Sequence, residues 1–182
     1  TLAILGTSEH CIATNPSDMN VALMALEATI HIQGPSGERQ VAINDFFVLP
    51  GSTPHIENVL KPGDLITHVS IKGLPAGSTS TYLKLRDRAS YEFALSSAAV
   101  VTRVENGKIS HVRVALGGVG TKPWRAFEAE KVLEGSPTNQ ENFRKAAEAA
   151  LSEAKVQTQN KYKVELSKRC LVHALKLATN NA

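Results

Sequence analysis

The side chains best able to bind or transform a small molecule sit in a few short stretches. In Asn15-Pro16-Ser17-Asp18, small polar side chains precede an apolar, Ala-rich run from Met19 to Ala28. That arrangement marks a helix start, where free backbone N–H groups can meet a ligand and where Asp18 ordinarily serves as a cap. Farther on, Tyr82, Lys84 and Arg86 alternate with Leu83 and Leu85, so one strand face carries a phenol and two cations. Such a face is most often simply solvated; its functional reading is a wall facing an electron-rich ligand. The glycines of Gly117-Gly118-Val119-Gly120 could cradle phosphate, but they lack the GxGxxG spacing between a parallel strand and a helix, and the loop reads as structural. His10 beside Cys11 offers a base next to a thiol for acyl transfer. Adjacent side chains diverge, and no third orienting group is evident.

The elements that must position these groups follow from periodicity and turn chemistry. Val21, Leu23, Met24 and Leu26 give the first helix a wide buried face, and Ala28 to Ile32 then switches to strand-like alternation ended by Gly34-Pro35. Arg39 to Ile43 returns as the partner of a hairpin, and Asp45-Phe46-Phe47 opens an irregular segment. Leu49 to Pro54 is a loop with two prolines. After the turn at Pro62-Gly63-Asp64, Leu65 to Ile71 alternates, with Leu65, Thr67, Val69 and Ile71 opposite Ile66, His68 and Ser70. A flexible loop, Gly73 to Ser80, leads into the strand Thr81 to Arg86.

Asn106-Gly107 joins two alternating runs, Ser97 to Val104 and Ile109 to Leu116, which is a strong hairpin signal because both turn residues need positive φ. Three helices are expected after it: Trp124 to Leu133 with Pro123 in its first turn and Gly135 as its stop, Asn139 to Ala154, and Tyr162 to Ala178. Val164, Leu171, Leu175 and Ala178 form the stripe of the last helix, with Cys170, Ala174 and Leu177 beside it. Bundled on the hairpin, these helices make an α+β unit separate from the first.

With 182 residues, 42% hydrophobic and 20% charged, the chain has enough material for one large or two small cored domains. Its net charge of +3, spread along the sequence, demands no nucleic-acid partner. No apolar run approaches the length of a membrane span, and no secretory signal is present. The opening Thr1 to Gly6 is apolar and lacks an initiator Met, as expected of a processed product or a piece of a longer polypeptide. Cys11 and Cys170 lack metal-ligand spacing and read as two free, mostly buried thiols. None of the six histidines forms an i, i+3 or i, i+4 pair, so no protein metal site is expected.

Pro16-Ser17-Asp18 with its Ala-rich helix and strand resembles the FAD-binding domain of the xanthine dehydrogenase and aldehyde oxidoreductase family, the molybdenum hydroxylases. Leu116-Gly117-Gly118-Val119, Lys122-Pro123-Trp124-Arg125-Ala126, Glu128-Ala129-Glu130, Leu133-Glu134-Gly135 and Lys163-Val164-Glu165-Leu166 are similar to the C-terminal domain of the same flavoproteins, found also in the medium subunit of carbon monoxide dehydrogenase. The likeness runs in order over almost the whole chain and is nearest to separate FAD subunits of bacterial aldehyde oxidoreductases. It implies an α+β fold: the second subdomain of a PCMH-type FAD-binding domain over residues 1–75, with antiparallel sheet and helices, then a carbon monoxide dehydrogenase flavoprotein C-terminal-like domain over 76–182, an antiparallel sheet with a three-helix bundle.

The same resemblance implies that FAD is bound, that a molybdenum-cofactor subunit and an iron–sulfur subunit are partners, and that electrons pass from the clusters through FAD to an external acceptor. It places cofactor contacts at Asp18, at Ile66 through its backbone, and at Lys84, with Thr14 and Ser17 added from the same loop as Asp18. The cation of Lys84 would favour electron density on a reduced flavin. Flavin performs the redox work, and no residue of the chain is a catalytic acid or base. The family's N-terminal FAD subdomain, whose Gly-rich loop holds the pyrophosphate, is absent from these residues, as are the cysteines of an extra cluster in some relatives. The lone chain is therefore expected to hold FAD weakly or not at all. Location is expected to be cytoplasmic, or periplasmic if a partner subunit carries an export signal. The alternative from another class is a non-redox small-molecule or protein-binding module that keeps the architecture.

Overall fold

A computed structural model describes residues 2–180, so Thr1 of the expected apolar opening and residues 181 and 182 lie outside it. The chain begins by burying Ala3, Ile4 and Leu5, whose N–H groups donate to Ile12 O and, for Ile4 and Leu5, to Val119 O. Helix α1 spans Asp18–Ala25. Ser17 is its cap, with extended φ and ψ and an Oγ that accepts from Asn20 N at 3.2 Å. The helix stops short of Ala28 because Glu27 adopts a left-handed φ of 51°.

Strands β1, Thr29–Gly34, and β2, Gly37–Ala42, form the expected hairpin, and β3, Leu65–Ser70, pairs with the other edge of β1. Between them, the stretch expected to be irregular holds a one-turn helix, α2, Ile43–Phe46. Ile43 and Phe46 are three positions apart, so one turn puts both in the core. The expected two-sided alternation of β3 is broken: His68 faces His31 while Ile66 faces Ile32, which leaves Thr67 as the extra residue of a bulge. Every side chain of β3 is exposed, so no core face disciplines its register.

The second sheet has the order β4-β5-β6-β7, from β4, Thr79–Leu85, through β5, Ser96–Glu105, and β6, Lys108–Gly117, to β7, Trp124–Arg125. Asn106 and Gly107 have φ of 52° and 73°, the type I′ turn that their sequence calls for. Trp124 is not helical as expected, since Trp124 and Arg125 pair with Leu116 and Ala115 and complete the edge of β6. The helices are α3, Phe127–Leu133, α4, Gln140–Ala150, and α5, Tyr162–Asn180, with α4 lying between the other two and α5 on β4 and β5. Among the described residues, no helix is long and apolar enough to cross a membrane.

Both faces of the second sheet are covered, which is why Ser96 to Val101 is buried without alternation. Ala98, Val100, Val112, Val114 and Leu116 face Leu133, Phe143, Leu171 and Leu175 in one core. Ala99, Val101 and Ala115 face Val21, Met24, Ile30, Ile43 and Phe46 in the other. The boundary expected at residue 75 falls in the loop between β3 and β4, yet α1 packs on β5 and β6, so the stretches on either side share this second core.

Candidate cofactor-binding site

Asp18 is the first helical residue of α1, where a carboxylate meets the positive end of the helix dipole. Its two oxygens are held from β4. Oδ1 accepts from the Tyr82 hydroxyl at 2.7 Å, and Oδ2 accepts from Lys84 Nζ at 2.7 Å. Tyr82 and Lys84 are two residues apart on one strand, so both side chains point toward α1 while Leu83 and Leu85 pack on the helical core behind them. Arg86 lies beyond the strand end, is exposed, and among the described residues makes no ion pair. The Tyr82 oxygen also lies 3.1 Å from Ser97 Oγ. Burial raises its pKa well above the ordinary phenol value, and the hydrogen bond and negative charge of Asp18 raise it further. The phenol therefore stays a neutral donor at any physiological pH.

Asp18 borders a small hollow with Thr14, Asn15, Pro16, Ser17, Phe93, Ala94 and Gly118. Asn15 N donates to Gly120 O, which ties the loop before α1 to the glycine loop after β6. Gly118 has φ of 69°, and a Cβ there would stand 2.7 Å from Ala94 O, so only glycine fits. Its carbonyl accepts from Lys163 Nζ at 2.7 Å, and the same ammonium group reaches Leu2 O at 3.0 Å. Lys163 is 1% exposed, and burial lowers its pKa to about 8. The hollow has a volume of about 10 Å³, room for roughly one water molecule. A flavin is far too large to enter it; Asp18 and Phe93, which is 64% exposed, stand on its lining.

Of the residues implied by the resemblance, Asp18 and Lys84 are joined directly, and Thr14 and Ser17 line the same hollow as Asp18. The hydroxyl of Ser17 is already committed to capping α1. Ile66 stands apart from this group: it is on β3, paired with Ile32 in the other sheet, and does not border the hollow. Tyr82 and Lys163 also hold groups at this site, Tyr82 the Asp18 carboxylate and Lys163 the Gly118 carbonyl. Tyr82 belongs to the strand face that the sequence offered as a wall with Lys84, whereas Lys163 enters the sequence reading only as the opening of the last helix, since a lysine on an amphipathic helix normally faces water. Among the described residues, no hydrogen bond links the ring of His10 to Cys11, so no base-to-thiol contact is formed there. Cys170 is buried, and burial pushes its thiol up to about 12, while Cys11 is only half-buried.

Residues 9–72 match the family described as FAD binding domain in molybdopterin dehydrogenase, and residues 80–178 match the CO dehydrogenase flavoprotein C-terminal domain. The chain is similar to the aldehyde oxidoreductase FAD-binding subunit PaoB of Escherichia coli, 40% identical over 174 residues that cover 95% of this chain and 51% of that protein. It is 37% identical over 123 residues to the glyceraldehyde dehydrogenase medium chain of Sulfolobus acidocaldarius, covering 68% of this chain and 41% of that one. Its fold superposes on reconstituted CO dehydrogenase from Oligotropha carboxidovorans with a TM-score of 0.81 at 27% identity, over 90% of this chain and 57% of that one. The chain spans about half the length of the curated relatives it matches. With a family match over more than half its residues and a relative 40% identical over 95% of it, the chain belongs to the FAD-binding flavoprotein family of xanthine dehydrogenase and aldehyde oxidoreductase type.

Proposed function

We propose that this chain forms one half of an FAD site in a molybdenum hydroxylase complex and serves electron transfer rather than substrate oxidation. The observation that carries this reading is the convergence of Asp18, Tyr82 and Lys84, brought together from α1 and β4. The ion pair is partly exposed, with side-chain exposures of 45% for Asp18 and 18% for Lys84. A pair so placed adds at most about 1 kcal/mol to stability, so folding alone gives little reason for it. A carboxylate has about four acceptor positions; Tyr82 and Lys84 take one on each oxygen, which leaves capacity for hydroxyl or N–H groups of a cofactor.

The residues present fit one side of a flavin nucleotide. Asp18 offers acceptors, Lys84 a cation on the same side, and Phe93 an exposed ring face. Bound FAD supplies two-electron acceptance and onward delivery. The protein's own part is to orient it: Tyr82 keeps its proton and fixes the carboxylate, and Lys163, by holding Gly118 O, fixes the backbone below. Ile66 remains a contact proposed through its backbone, reached from the β1–β3 sheet, and Thr14 and Ser17 remain contacts through the loop they share with Asp18. The anionic middle of the cofactor needs N–H donors from a complementary half. We assign that half to an N-terminal FAD subdomain, with iron–sulfur and molybdenum-cofactor subunits as the source of electrons and an external molecule as their sink.

Combining the chain with a complementary N-terminal half from an aldehyde oxidoreductase FAD subunit tests the reading. The expected result is a stoichiometric flavin absorption band that bleaches on addition of a chemical reductant, with little flavin retained by the chain alone. A stable complex that takes up no flavin would favour the non-redox binding module instead.

A further inference from the structure

Helices α4 and α5 pack side by side and leave a groove of about 540 Å³ between them. Four cations line it, Arg144 from α4 and Lys168, Arg169 and Lys176 from α5, against two carboxylates, Glu148 and Glu165. The α5 residues that line the groove recur at steps of three and four from Glu165 to Lys176. They therefore share one stripe, about 16 Å long at 1.5 Å per residue. Ala147, which is buried, and Val172, which is half-buried, make its floor apolar. A carboxylate neutralises only one of the four cations, since Arg169 Nε donates to Glu165 at 2.8 Å. Lys176 Nζ donates to the neutral Gln140 at 2.9 Å, and the side chains of Arg144 and Lys168 have no hydrogen bond or ion pair among the described residues. Outside the groove, α4 balances its charge by pairing Lys145 with Glu141 at 2.7 Å. Like charges on successive turns destabilise a helix, so folding gives no reason for the surplus in the groove.

The groove also faces away from the cofactor site. Helix α5 packs on β4 and β5 in the core that holds Leu171 and Leu175, whereas α1 covers the opposite face of the same sheet. The complementary half assigned to the flavin attaches on the α1 side, beside Asp18, and leaves the α4–α5 side open. A cleft of this size with an apolar floor and unneutralised cations on its walls suits carboxylates presented beside an apolar side chain. We propose that the groove docks an acidic, amphipathic segment of a partner subunit. Its carboxylates meet Arg144, Lys168 and Lys176, and an apolar side chain rests on Ala147 and Val172. The relatives described above are named as a subunit and a medium chain. The inference rests on the proposed place of this chain in a multi-subunit complex and is independent of flavin binding.

Association of the chain, joined to its complementary half, with the iron–sulfur and molybdenum-cofactor subunits tests it by biolayer interferometry. Lys168→Glu combined with Lys176→Glu should weaken association at least ~10-fold at low salt, because charge reversal sets like charges against each other. The difference from wild type should shrink as salt rises. Lys145→Glu, on α4 but outside the groove, should leave association unchanged. All these variants should keep the wild-type far-ultraviolet dichroism and flavin content. In the wild-type complex, a carbodiimide should couple the amine of Lys168 or Lys176 to an Asp or Glu of a partner subunit, as located by mass spectrometry. Equal association of the reversed and wild-type chains would overturn the proposal, as would coupling of these lysines only within the chain or to a second copy of it. Loss of flavin uptake with this pattern of association intact would contradict the cofactor reading and support the docking site.

Discussion

Replacing Lys163 by Met should change how stability responds to alkaline pH, and the structure fixes both the sign and the size. The amine is 1% exposed and faces two carbonyls, Leu2 O and Gly118 O, with no carboxylate partner among the described residues. A neutral amine has two N–H donors for these two acceptors, whereas an ammonium group brings a third with nowhere to go. Burial accordingly lowers the native pKa to about 8 from 10.5. Below pH 8 both native and unfolded states hold the proton, and stability is insensitive to it. Between pH 8 and 10.5 the unfolded state still holds a proton that the native state has lost, so stability rises with pH, by about 1.4 kcal/mol per unit and about 3 kcal/mol in all. Other groups act at the same time: Cys170, held protonated by burial, pulls stability down above pH 9, and Tyr82 does the same at higher pH. Burial lowers Lys122 as well, in the same direction as Lys163. These contributions cancel when the Lys163→Met curve is subtracted from wild type. Urea unfolding at half-unit steps from pH 7.5 to 10.5 measures the difference. A flat or falling difference would refute the picture of a buried amine that sheds its charge.

Other consequences can be checked with simple variants. Arg125 is 4% exposed and divides its guanidinium among Glu130, Glu27 and Met24 O, so Arg125→Met should cost about 3–5 kcal/mol by leaving Glu130 charged and buried. The exposed Arg169–Glu165 pair gives the contrast, since Arg169→Met should cost no more than about 1 kcal/mol in the same urea titration. With a thiol-specific chromogenic reagent, the native protein should titrate one cysteine, Cys11, and a second only in denaturant, because Cys170 is buried and held as the thiol. Gly107→Val, which forces a β-branched residue to φ of 73°, should lower stability by more than about 1 kcal/mol, while Lys108→Val next to it should have little effect.

The features legible in the sequence were those fixed by neighbours along the chain. Asn106-Gly107 encodes its turn in two residues, the polar run Asn15 to Asp18 marks a helix start although Ser17 rather than Asp18 is its cap, accepting from the N–H three residues on, and the face shared by Tyr82 and Lys84 follows from strand geometry alone. What could not be read depended on partners distant in sequence. Trp124 and Arg125 look like the start of a helix until β6 offers an edge to pair with. The shared core exists only because α1 lies on β5 and β6. His31 meets His68 through a bulge, and a bulge has no reliable signature in a strand whose two faces are both exposed. Asp18 shows the same divide within one residue. Its place at a helix start was legible, but its two partners on β4 came into view only with the fold.

The most direct test is flavin affinity in the chain joined to its complementary half, measured by fluorescence titration of wild type, Asp18→Asn, Lys84→Met and Arg86→Met. If Asp18 and Lys84 form one wall of the flavin site, removing either charge forfeits roughly 1.5–3 kcal/mol of charge-assisted hydrogen bonding, which is a loss of about tenfold or more in affinity. Arg86, one residue past the end of β4 and outside the cluster, should leave affinity unchanged when replaced. Equal affinity in all four proteins would contradict the assignment of this cluster to the cofactor.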